Sequence, residues 1–508
     1  MEKSSKIKNL EELAKTLDAL RAKKKKIVLC HGVFDLLHIG HIRHFEQARK
    51  LGDILVVTLT PDRFVNKGPH RPAFSEDLRA ESIAALDCVN YVAINNWPTS
   101  VETIKLLKPD FYAKGSDYKD ASKDFTGKII DEEAAVRSIG GELALTDDIT
   151  FSSSSLINKY ITPFTKDVSD FLVDFTKRYS AEKVVQYLDS IRSLKVLVIG
   201  ETIIDDYHYC DVIGKSTKEP VLAAQLVFSE KYAGGSLAIC NNVANFCDHA
   251  GLLTFLGTED SQEDFVRERM KVNVENMFLY KDKSPTIVKR RFIENYSLTK
   301  LFEVYVMNGE EISQKENKSL CRKLHQVLPQ YDVVIVADYG HGMISKEAIE
   351  IICNEARFLA VNTQANAGNR GFNTILKYPR ADFVSVAEHE IRLEFRNQKD
   401  DVRDIMLQLS RELKCDKIIV TSGKNGSMGY SQKTGFFQIP AFVQRTVDRV
   451  GAGDAVLSIT ALCVAKKVPM EVVVFVGNVV GAEAVMTVGN KTPIERASLY
   501  KYIVSLMK

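Results

Sequence analysis

No two of the nine cysteines form a CxxC pair, and several of them lie inside apolar runs. This pattern favours buried free thiols in a reducing compartment over disulfides or a zinc site. The sequence also lacks any apolar run close to the roughly 20 residues of a membrane span, and its polar first residues lack the apolar core of a signal peptide. We therefore expect a cytoplasmic protein with no membrane partner.

An excess of one charge is missing too, because 68 basic residues face 66 acidic ones and the formal net charge is +2. Such a balance provides no field that would attract nucleic acid. The lysine run at 23–26 precedes an apolar stretch and is typical of a solvated helix end. Internal repeats and low-complexity segments are also absent. The 508 residues, 45% of them apolar and 26% charged, predict two or three ordinary globular domains.

Strand and helix patterns alternate along the chain. Apolar runs at 26–30, 54–59, 91–94 and 111–113 predict buried strands, with helical stretches between them. A polar helical stretch interrupted by Pro163 follows, and strand patterns return at 195–200, 333–337, 358–361 and 417–421. This alternation builds parallel sheets covered by helices on both faces. We predict an α/β protein with domains at 1–160 and 195–508, joined by a helical connector at 161–194.

The first candidate site is the segment 32–41, which reads Gly-Val-Phe-Asp-Leu-Leu-His-Ile-Gly-His and lies between a predicted strand and a helix. A helix N-terminus at the carboxyl end of a parallel strand presents unpaired N–H groups that suit phosphate. His38 and His41 share the first helical turn, and Gly40 lets a nucleotide approach the backbone. Imidazole donors would stabilise negative charge growing around a reacting phosphorus. Capping or core histidines are the alternative interpretation.

Further matches extend this motif, with Lys-Gly-Pro-His-Arg-Pro at 67–72 and Lys-Gly-Ser-Asp-Tyr-Lys at 114–119. Residues 5–160 resemble the HxGH nucleotidyltransferases, most of all the adenylyltransferase half of the bifunctional heptose-phosphate kinase/adenylyltransferases. The resemblance implies a Rossmann-like domain in which His38 and His41 contact a triphosphate. It also implies a set of nucleotide-binding residues: Val33, Phe34, Lys67, Arg79, Gly115, Asp117, Ser153 and Ser154. The segment 120–127 looks longer than the corresponding loop of the family.

The second candidate site is the segment 448–454, Asp-Arg-Val-Gly-Ala-Gly-Asp, which precedes an apolar helix. Gly451 and Gly453, with Ala452 between them, let backbone N–H groups converge at the helix N-terminus and form an anion hole. Asp454 lies in the first turn beside that hole, where a carboxylate can accept the proton of an attacking sugar hydroxyl. An Asp that merely caps the helix is the alternative.

This segment resembles the DTxGAGD signature of ribokinase-like sugar kinases, with Arg449 in place of the usual Thr. The resemblance covers about residues 195–495 and implies a ribokinase-like α/β domain. It implies sugar binding by Asp205, Gly234, Gly235, Asn241 and Asn242, ATP binding by Thr421, Gly423, Gly426, Gly451, Ala452, Gly453 and Asn478, and a metal role for Glu390. Three positions depart from the family pattern, because Ala238 replaces an Asn, Ala387 replaces the Asn of NxxE, and 362–364 reads Asn-Thr-Gln rather than Asp-Pro-Lys.

Together the two resemblances predict a bifunctional sugar-activating enzyme, with its domains in the reverse order of the heptose enzymes. The kinase would phosphorylate a sugar or sugar phosphate with ATP, and the transferase would join a sugar phosphate to a nucleotide from ATP or CTP, releasing pyrophosphate. Both steps need Mg²⁺. The closest analogy is an ADP-heptose-like product for cell-surface glycan synthesis. Two alternatives stay open: the product could be a CDP-activated sugar or polyol, or one domain could be catalytically silent. A homodimer is also possible.

Overall fold

The computed structural model describes residues 5–65, 67–68, 71–115, 128–146, 164–443 and 446–508. The chain divides into two compact units, one of Met1–Thr165 with Tyr500–Lys508 and one of Lys166–Leu499. Each unit contains its own mainly parallel sheet. Within the described ranges, no helix is long and apolar enough to cross a membrane.

The first unit is a five-stranded parallel sheet with the order β3-β2-β1-β4-β5. Its strands are β1 Ile27–Gly32, β2 Ile54–Leu59, β3 Tyr91–Ile94, β4 Phe111–Gly115 and β5 Glu142–Thr146. Its helices are Leu10–Ala22, Ile39–Arg49, Glu76–Ala84, Val101–Leu107 and Lys128–Ser138. The strand order reverses between β1 and β4, and ligands of open parallel sheets bind at such a switch point. The segment 32–41 follows β1 at this point.

The two faces of this sheet are both covered, as the alternating pattern predicts. Phe45 and Ile83 belong to a buried apolar cluster on strands β1 and β2, and Leu13, Ile104 and Val136 belong to a second one. The residues of β1 from Ile27 to Cys30 are fully buried. Continuous apolar runs of this kind are typical of strands buried on both faces, which is why the sequence located β1 to β4 within two residues.

The second unit has a nine-stranded sheet, order β10-β9-β6-β13-β14-β15-β16-β17-β18, and a four-stranded sheet, order β12-β11-β7-β8. The large sheet is parallel from β10 to β16 and antiparallel beyond. Its strands are β6 Lys195–Gly200, β9 His249–Glu259, β10 Val274–Pro285, β13 Val333–Asp338, β14 Leu359–Thr363, β15 Phe383–Ala387, β16 Lys417–Thr421, β17 Ser427–Ser431 and β18 Gly435–Ile439. The small sheet consists of β7 Thr202–Lys215, β8 Leu222–Gly235, β11 Ile287–Glu294 and β12 Lys300–Val306.

The helices that accompany these sheets include two that are buried along most of their length, Ala452–Ala465 and Met470–Ala484. Helices that are apolar all round belong in a core, and the apolar stretch after Gly453 predicted them. The others are Lys166–Arg178, Ala181–Ser190, Ser236–Phe246, Glu263–Arg269, Gln314–Val327, Lys346–Glu355, Glu388–Glu394 and Val402–Glu412. A last helix, Arg496–Leu506, begins in the second unit, and its residues from Tyr500 on are assigned to the first.

The segment expected as a connector, 161–194, contains two helices, as its pattern predicts. The helix Lys166–Arg178 packs on the core of the second unit, with Phe175 stacked on Phe475 at 4.4 Å between ring centroids. Phe171 also contacts Phe442 and Phe475. Its apolar face is therefore covered by the second unit, which begins at Lys166. The domain boundaries at 160 and 195 stay predictions.

Candidate active sites

The two histidines of the first site lie together at the start of the helix Ile39–Arg49. His38 caps this helix, and its Nδ1 accepts a hydrogen bond from the Gly40 N–H at 3.2 Å. The imidazole rings of His38 and His41 stack with centroids 3.9 Å apart. The ring of Phe34 packs edge-on against His41 at 5.2 Å. The structure thus brings Phe34, His38 and His41 to the carboxyl end of β1.

Burial disfavours the charged form of both imidazoles. Burial lowers the pKa of His38, and burial together with the nearby His38 and Lys67 lowers the pKa of His41 to about 3. A neutral imidazole offers one N–H donor and one acceptor. Because the charge of Lys67 acts on His41, Lys67 lies at the same site. Burial, with a contribution from Arg71, lowers the pKa of Lys67 to about 8, so that this amine stays largely protonated at pH 7.

Protein acceptors engage most of the guanidinium N–H groups of Arg79, and its predicted role as a phosphate ligand stays a prediction. Arg79 is 2% exposed. It donates to four acceptors, which are the carbonyl oxygens of Phe74, Thr60 and Val33 and the carboxylate of Asp62. The bond to Val33 fixes the residue before Phe34, whose φ of +47° lies in the left-handed region. Strained backbone of this kind clusters at functional sites, and the hydrogen bond from Arg79 holds this segment in place.

A buried ion pair beside the histidines was missed from the sequence. The Arg71 guanidinium and the Asp35 carboxylate are 2.5 Å apart, and the other Asp35 oxygen accepts the Ala73 N–H at 2.5 Å. Within the described chain the second terminal nitrogen of Arg71 is buried without a hydrogen-bond partner. Arg71 therefore has a buried N–H donor that no described protein group engages. The signal was an aspartate directly after Phe34, inside an otherwise apolar segment.

Gly115 is the last residue of β4. A Cβ added at Gly115 would meet no described atom within 4 Å. Its neighbour Lys114 is buried and forms a 2.9 Å ion pair with Glu132. The other predicted nucleotide-binding residues, Asp117, Ser153 and Ser154, lie outside the described residues, as does the segment 120–127.

The second site begins at the N-terminus of the helix Ala452–Ala465. Gly451 precedes Ala452 with φ +80°, and a Cβ at Gly451 would lie 2.0 Å from Asn490 Oδ1. No side chain caps this helix in the described structure, and the Ala452 N–H makes only a long 3.4 Å hydrogen bond to the Arg449 carbonyl oxygen, so the N–H groups of the first turn suit an anion. A Cβ at Gly453 would meet nothing within 4 Å. This geometry suits the predicted anion hole.

Asp454 lies in the first turn of that helix, beside Gly453. Its Oδ1 accepts the hydroxyl of Tyr339 at 2.8 Å. Burial raises the pKa of Asp454 to about 7, the hydrogen bond from Tyr339 opposes this, and the nearby Asp205 adds to it. A carboxylate with a pKa near the working pH can both accept and release a proton, as a general base must.

Asp205 lies on β7 with both carboxylate oxygens engaged. Oδ1 accepts the guanidinium of Arg291 in a buried ion pair, and Oδ2 accepts the Asn490 side-chain amide at 2.9 Å. A Cβ at Gly234 would lie 2.3 Å from Oδ2, so Asp205 needs glycine there. Gly235 follows with φ +54°. The sequence did not point to Arg291 or Asn490, because each is far from Asp205 along the chain.

Asn241 and Asn242, predicted to bind sugar, use their amides on the protein backbone. Asn241 donates to the Arg269 carbonyl at 3.0 Å and accepts the Lys271 N–H at 3.1 Å. The Oδ1 of Asn242 accepts the Ile494 N–H at 2.8 Å. Both asparagines nevertheless line a cavity of about 230 Å³ that also includes Gly451. The cavity therefore adjoins the anion hole.

The predicted nucleotide loop follows β16, where Thr421 is the last strand residue. Gly423 and Gly426 have φ values of +55° and +85°, and a Cβ at Gly426 would lie 2.0 Å from the Ile439 carbonyl oxygen. Both positions therefore require glycine. Asn478 is buried in the helix Met470–Ala484 and accepts the Ser427 hydroxyl at 3.3 Å. These contacts position the loop.

Glu390 caps the helix Glu388–Glu394 with its own carboxylate. Its two oxygens accept the N–H groups of Ala365 at 3.1 Å and Ala387 at 2.8 Å. Burial raises its pKa, and its charge acts on Asp454. In the described part of the chain, no group of three or more acidic, His or Cys side chains could hold a metal by itself.

The geometry defines a two-part α/β protein with a histidine pair at a helix start in the first unit and a buried aspartate at an uncapped helix start in the second. Residues 193–497 match the pfkB family carbohydrate kinases, and the chain belongs to this family. Residues 29–160 match the cytidylyltransferase-like proteins. The N-terminal domain also matches proteins named bifunctional protein HldE. These matches and the sheets together confirm the predicted α/β class with its Rossmann-like and ribokinase-like domains.

The HldE of Trichlorobacter lovleyi is 39% identical over 166 residues, which are 32% of this chain and 32% of that protein. The HldE of Aliarcobacter butzleri is 42% identical over 142 residues, 27% of this chain and 29% of the relative. The chain thus spans about a third of the length of the curated relatives it matches. A structure of Escherichia coli phosphofructokinase-2 with potassium superposes with a TM-score of 0.51 at 14% identity, covering 62% of this chain and 100% of that one. This likeness shows the fold.

Proposed function

We propose that the chain is a bifunctional sugar-activating enzyme. Its second unit phosphorylates a sugar or sugar phosphate with ATP, and its first unit joins a sugar phosphate to a nucleotide with release of pyrophosphate. The observation that carries the proposal is the position of Asp454, in the first turn of an uncapped helix and within electrostatic range of Asp205. Membership of the pfkB family supports the kinase reaction.

In the kinase reaction, Asp454 accepts the proton of the sugar hydroxyl while that oxygen attacks the γ-phosphorus of ATP. The bond from this phosphorus to the bridging oxygen breaks, and ADP leaves. The N–H groups at Gly451 to Gly453 hold the transferred phosphoryl oxygens, where charge develops. Asp205, held by Arg291 and Asn490, accepts hydrogen bonds from other sugar hydroxyls.

In the transfer reaction, a phosphate oxygen of the sugar phosphate attacks the α-phosphorus of the nucleotide, and pyrophosphate leaves. His38 and His41 donate N–H groups to the triphosphate, and Lys67 supplies a positive charge. The free nitrogen of Arg71 adds a further donor. The relatives named bifunctional support two linked reactions. An ADP-linked, heptose-like product for cell-surface glycans is the first candidate.

Mg²⁺ fits the kinase site, since this ion binds through one or two carboxylates together with nucleotide phosphates. A carboxylate has about four lone-pair positions, and Glu390 uses two of them for backbone N–H groups. Glu390 would therefore help to hold the ion, with the ATP phosphates as the other ligands. When bound, Mg²⁺ neutralises phosphate charge.

CTP is a second candidate donor for the transfer, because the family matched by the first unit is described as cytidylyltransferase-like. A CDP-activated sugar or polyol would then be the product. A further alternative is that one unit binds ligands without catalysis. The buried Arg71 donor in the first unit and the N–H groups of the uncapped helix beside Asp454 in the second favour two catalytic units.

We place the enzyme in the cytoplasm, because its nine cysteines are all free thiols and eight of them are buried, as expected in a reducing compartment. We also propose a homodimer. Apolar side chains are exposed on the four-stranded sheet, among them Leu226, Phe228, Phe302 and Val304. Such a patch marks an interaction surface. Sedimentation of the full chain tests this, and a monomer at all concentrations would contradict it.

A substrate screen tests the activities directly. The full chain is incubated with sugars and sugar phosphates, with ATP and CTP in separate reactions, and products are read by mass spectrometry. Asp454→Asn should lower phosphorylation about 10²–10⁴-fold, while ATP binding persists because the anion hole is backbone. The matched control is Asp401→Asn, because Asp401 only caps a helix of the same unit. Near-normal phosphorylation by Asp454→Asn would contradict the kinase assignment.

A further inference from the structure

The proposed reaction does not account for one contact of Asp454, the hydrogen bond from Tyr339. The hydroxyl of Tyr339 lies 2.8 Å from Asp454 Oδ1. Within the described part of the chain, no protein donor is hydrogen-bonded to the second oxygen, Oδ2. Tyr339 itself is 2% exposed. The carboxylate therefore has one oxygen occupied by the protein and one left for a ligand.

Tyr339 is held firmly at its backbone, so the position of its hydroxyl is fixed. Its N–H donates to Glu201 Oε2 at 3.0 Å. Its carbonyl oxygen accepts the side-chain amides of Asn366 at 2.8 Å and Asn369 at 2.9 Å. The Lys289 ammonium lies over the ring, 5.9 Å from its centroid. The residue thus receives contacts from three separate segments of the second unit.

The charges around Asp454 come from several elements. Besides burial, two carboxylates raise the pKa of Asp454: Asp205 on β7 and Glu390 on the helix Glu388–Glu394. Two groups lower it, which are Lys289 on β11 and Tyr339, the residue after β13. Burial raises the pKa of Tyr339 well above its ordinary value, so its hydroxyl remains a donor. Tyr339 is the group that donates a hydrogen bond to the ionised form of Asp454, and such bonds favour the charged carboxylate.

We propose that Tyr339 is the positioning residue of the base, in that its hydroxyl fixes Asp454 Oδ1 and thereby presents Oδ2 to the sugar hydroxyl. The proposal rests on the assignment of Asp454 as the base in the proposed function. Tyr339 does not touch the reacting atoms. It acts through Asp454, by orienting the carboxylate and by keeping it ionised when the proton must be accepted.

Tyr339→Phe tests the proposal, because it removes the hydroxyl and keeps the ring that packs in the core. A general base is active when ionised, so phosphorylation falls as pH drops through the pKa of Asp454, which is about 7. Loss of the donor raises that pKa. We expect the acid limb of the kcat/KM profile to move up by about one pH unit, and kcat at pH 7 to fall about fivefold, with KM for ATP unchanged.

Tyr378→Phe is the matched control. Tyr378 is buried in the same unit and donates to a different carboxylate, Asp338 Oδ2, at 2.7 Å. Its variant should leave the acid limb where it is. A purely structural role of Tyr339 would lower the melting temperature or the rate without moving the limb, and that result would overturn the proposal.

A second measurement needs no sugar substrate. The full chain is labelled with ¹³C in the aspartate side-chain carboxyl groups, and the signal that Asp454→Asn removes is titrated. Tyr339→Phe should raise its midpoint by about one pH unit, and an unmoved midpoint would refute the role of Tyr339. If the midpoint moves but Asp454→Asn still phosphorylates sugar normally, the assignment of Asp454 as base fails while the Tyr339–Asp454 coupling stands.

Discussion

Asp205 shows how a single side chain depends on residues distant in the sequence. Arg291, on the neighbouring strand β11, binds one carboxylate oxygen, and Asn490 binds the other. A buried carboxylate is stable only when paired and hydrogen-bonded. These partners fix the orientation of Asp205, and for the proposed role in sugar binding such preorganisation would lower the cost of binding. Gly234 on β8 completes the arrangement, because it leaves the space that the carboxylate fills.

Gly234→Ala tests this arrangement. The new methyl group would lie 2.3 Å from Asp205 Oδ2, so the carboxylate must move away from its partners. A hydrogen bond to a charged group contributes about 1.5–3 kcal/mol, so KM for the sugar should rise roughly 10- to 100-fold while KM for ATP stays constant. The control is Gly309→Ala, where a Cβ meets nothing within 4 Å. An unchanged sugar KM in Gly234→Ala would exclude Asp205 from sugar binding.

Motif reading located Asp205, Asp454 and the histidine pair, since each stands in a short segment whose residues act together. It did not find Arg291, Asn490, Tyr339 or Arg71 as partners, because their proximity arises from the tertiary fold. The contacts of Arg79 were also not predicted, and its role as a phosphate ligand stays a prediction. Its partners are carbonyl oxygens at strand ends, and no sequence pattern records which carbonyls a guanidinium will meet.

At the scale of elements, the strands of the large sheet were predicted where apolar runs are continuous, as in Lys195–Gly200 and Lys417–Thr421. The sequence patterns did not predict the four-stranded sheet. In β8, residues from Leu222 to Glu230 are mostly exposed and mix polar with apolar side chains. Because side chains on both faces of β8 are exposed, apolar and polar residues do not alternate as they do in a half-buried strand. This sheet carries Asp205, so the element nearest the sugar site was the hardest to predict.

The helix Lys166–Arg178 provides a test at this scale. Phe175 is fully buried against Phe475, and removing a buried aromatic ring costs about 3–5 kcal/mol. Phe175→Ala should therefore lower the free energy of unfolding of the second unit by that amount, measured by denaturant unfolding of the full chain with loss of ATP binding as the probe.

Val173→Ala is the control for this helix, since Val173 lies on the same helix and is 58% exposed. It should change the free energy of unfolding by no more than about 0.5 kcal/mol. Equal effects of the two substitutions would mean that the helix does not pack on the second unit, and that 161–194 acts as the separate connector its composition suggested.

At the scale of the whole molecule, the chain contains two sheets with unlike sites, in the order transferase-like then kinase. The first candidate site contains two imidazoles and a lysine at a strand-to-helix turn. The second contains a carboxylate beside an uncapped helix start. The proposed catalytic side chains of the two sites are different residues. Separate chemistry on separate units predicts that each reaction can be removed alone.

His41→Ala and Asp454→Asn test this separation together, each as the control of the other. His41 stacks on His38 at the helix start, and loss of one donor to a developing charge costs about 10²–10³-fold in rate. His41→Ala should therefore lose nucleotidyl transfer by that factor and keep phosphorylation. Asp454→Asn should lose phosphorylation and keep transfer when the phosphorylated sugar is supplied.

Both reactions are measured on the full chain, transfer by pyrophosphate release and phosphorylation by ADP formation. If His41→Ala lowered both rates equally with melting unchanged, the reactions would depend on one site, and the assignment of the histidine pair to a separate transferase would be wrong.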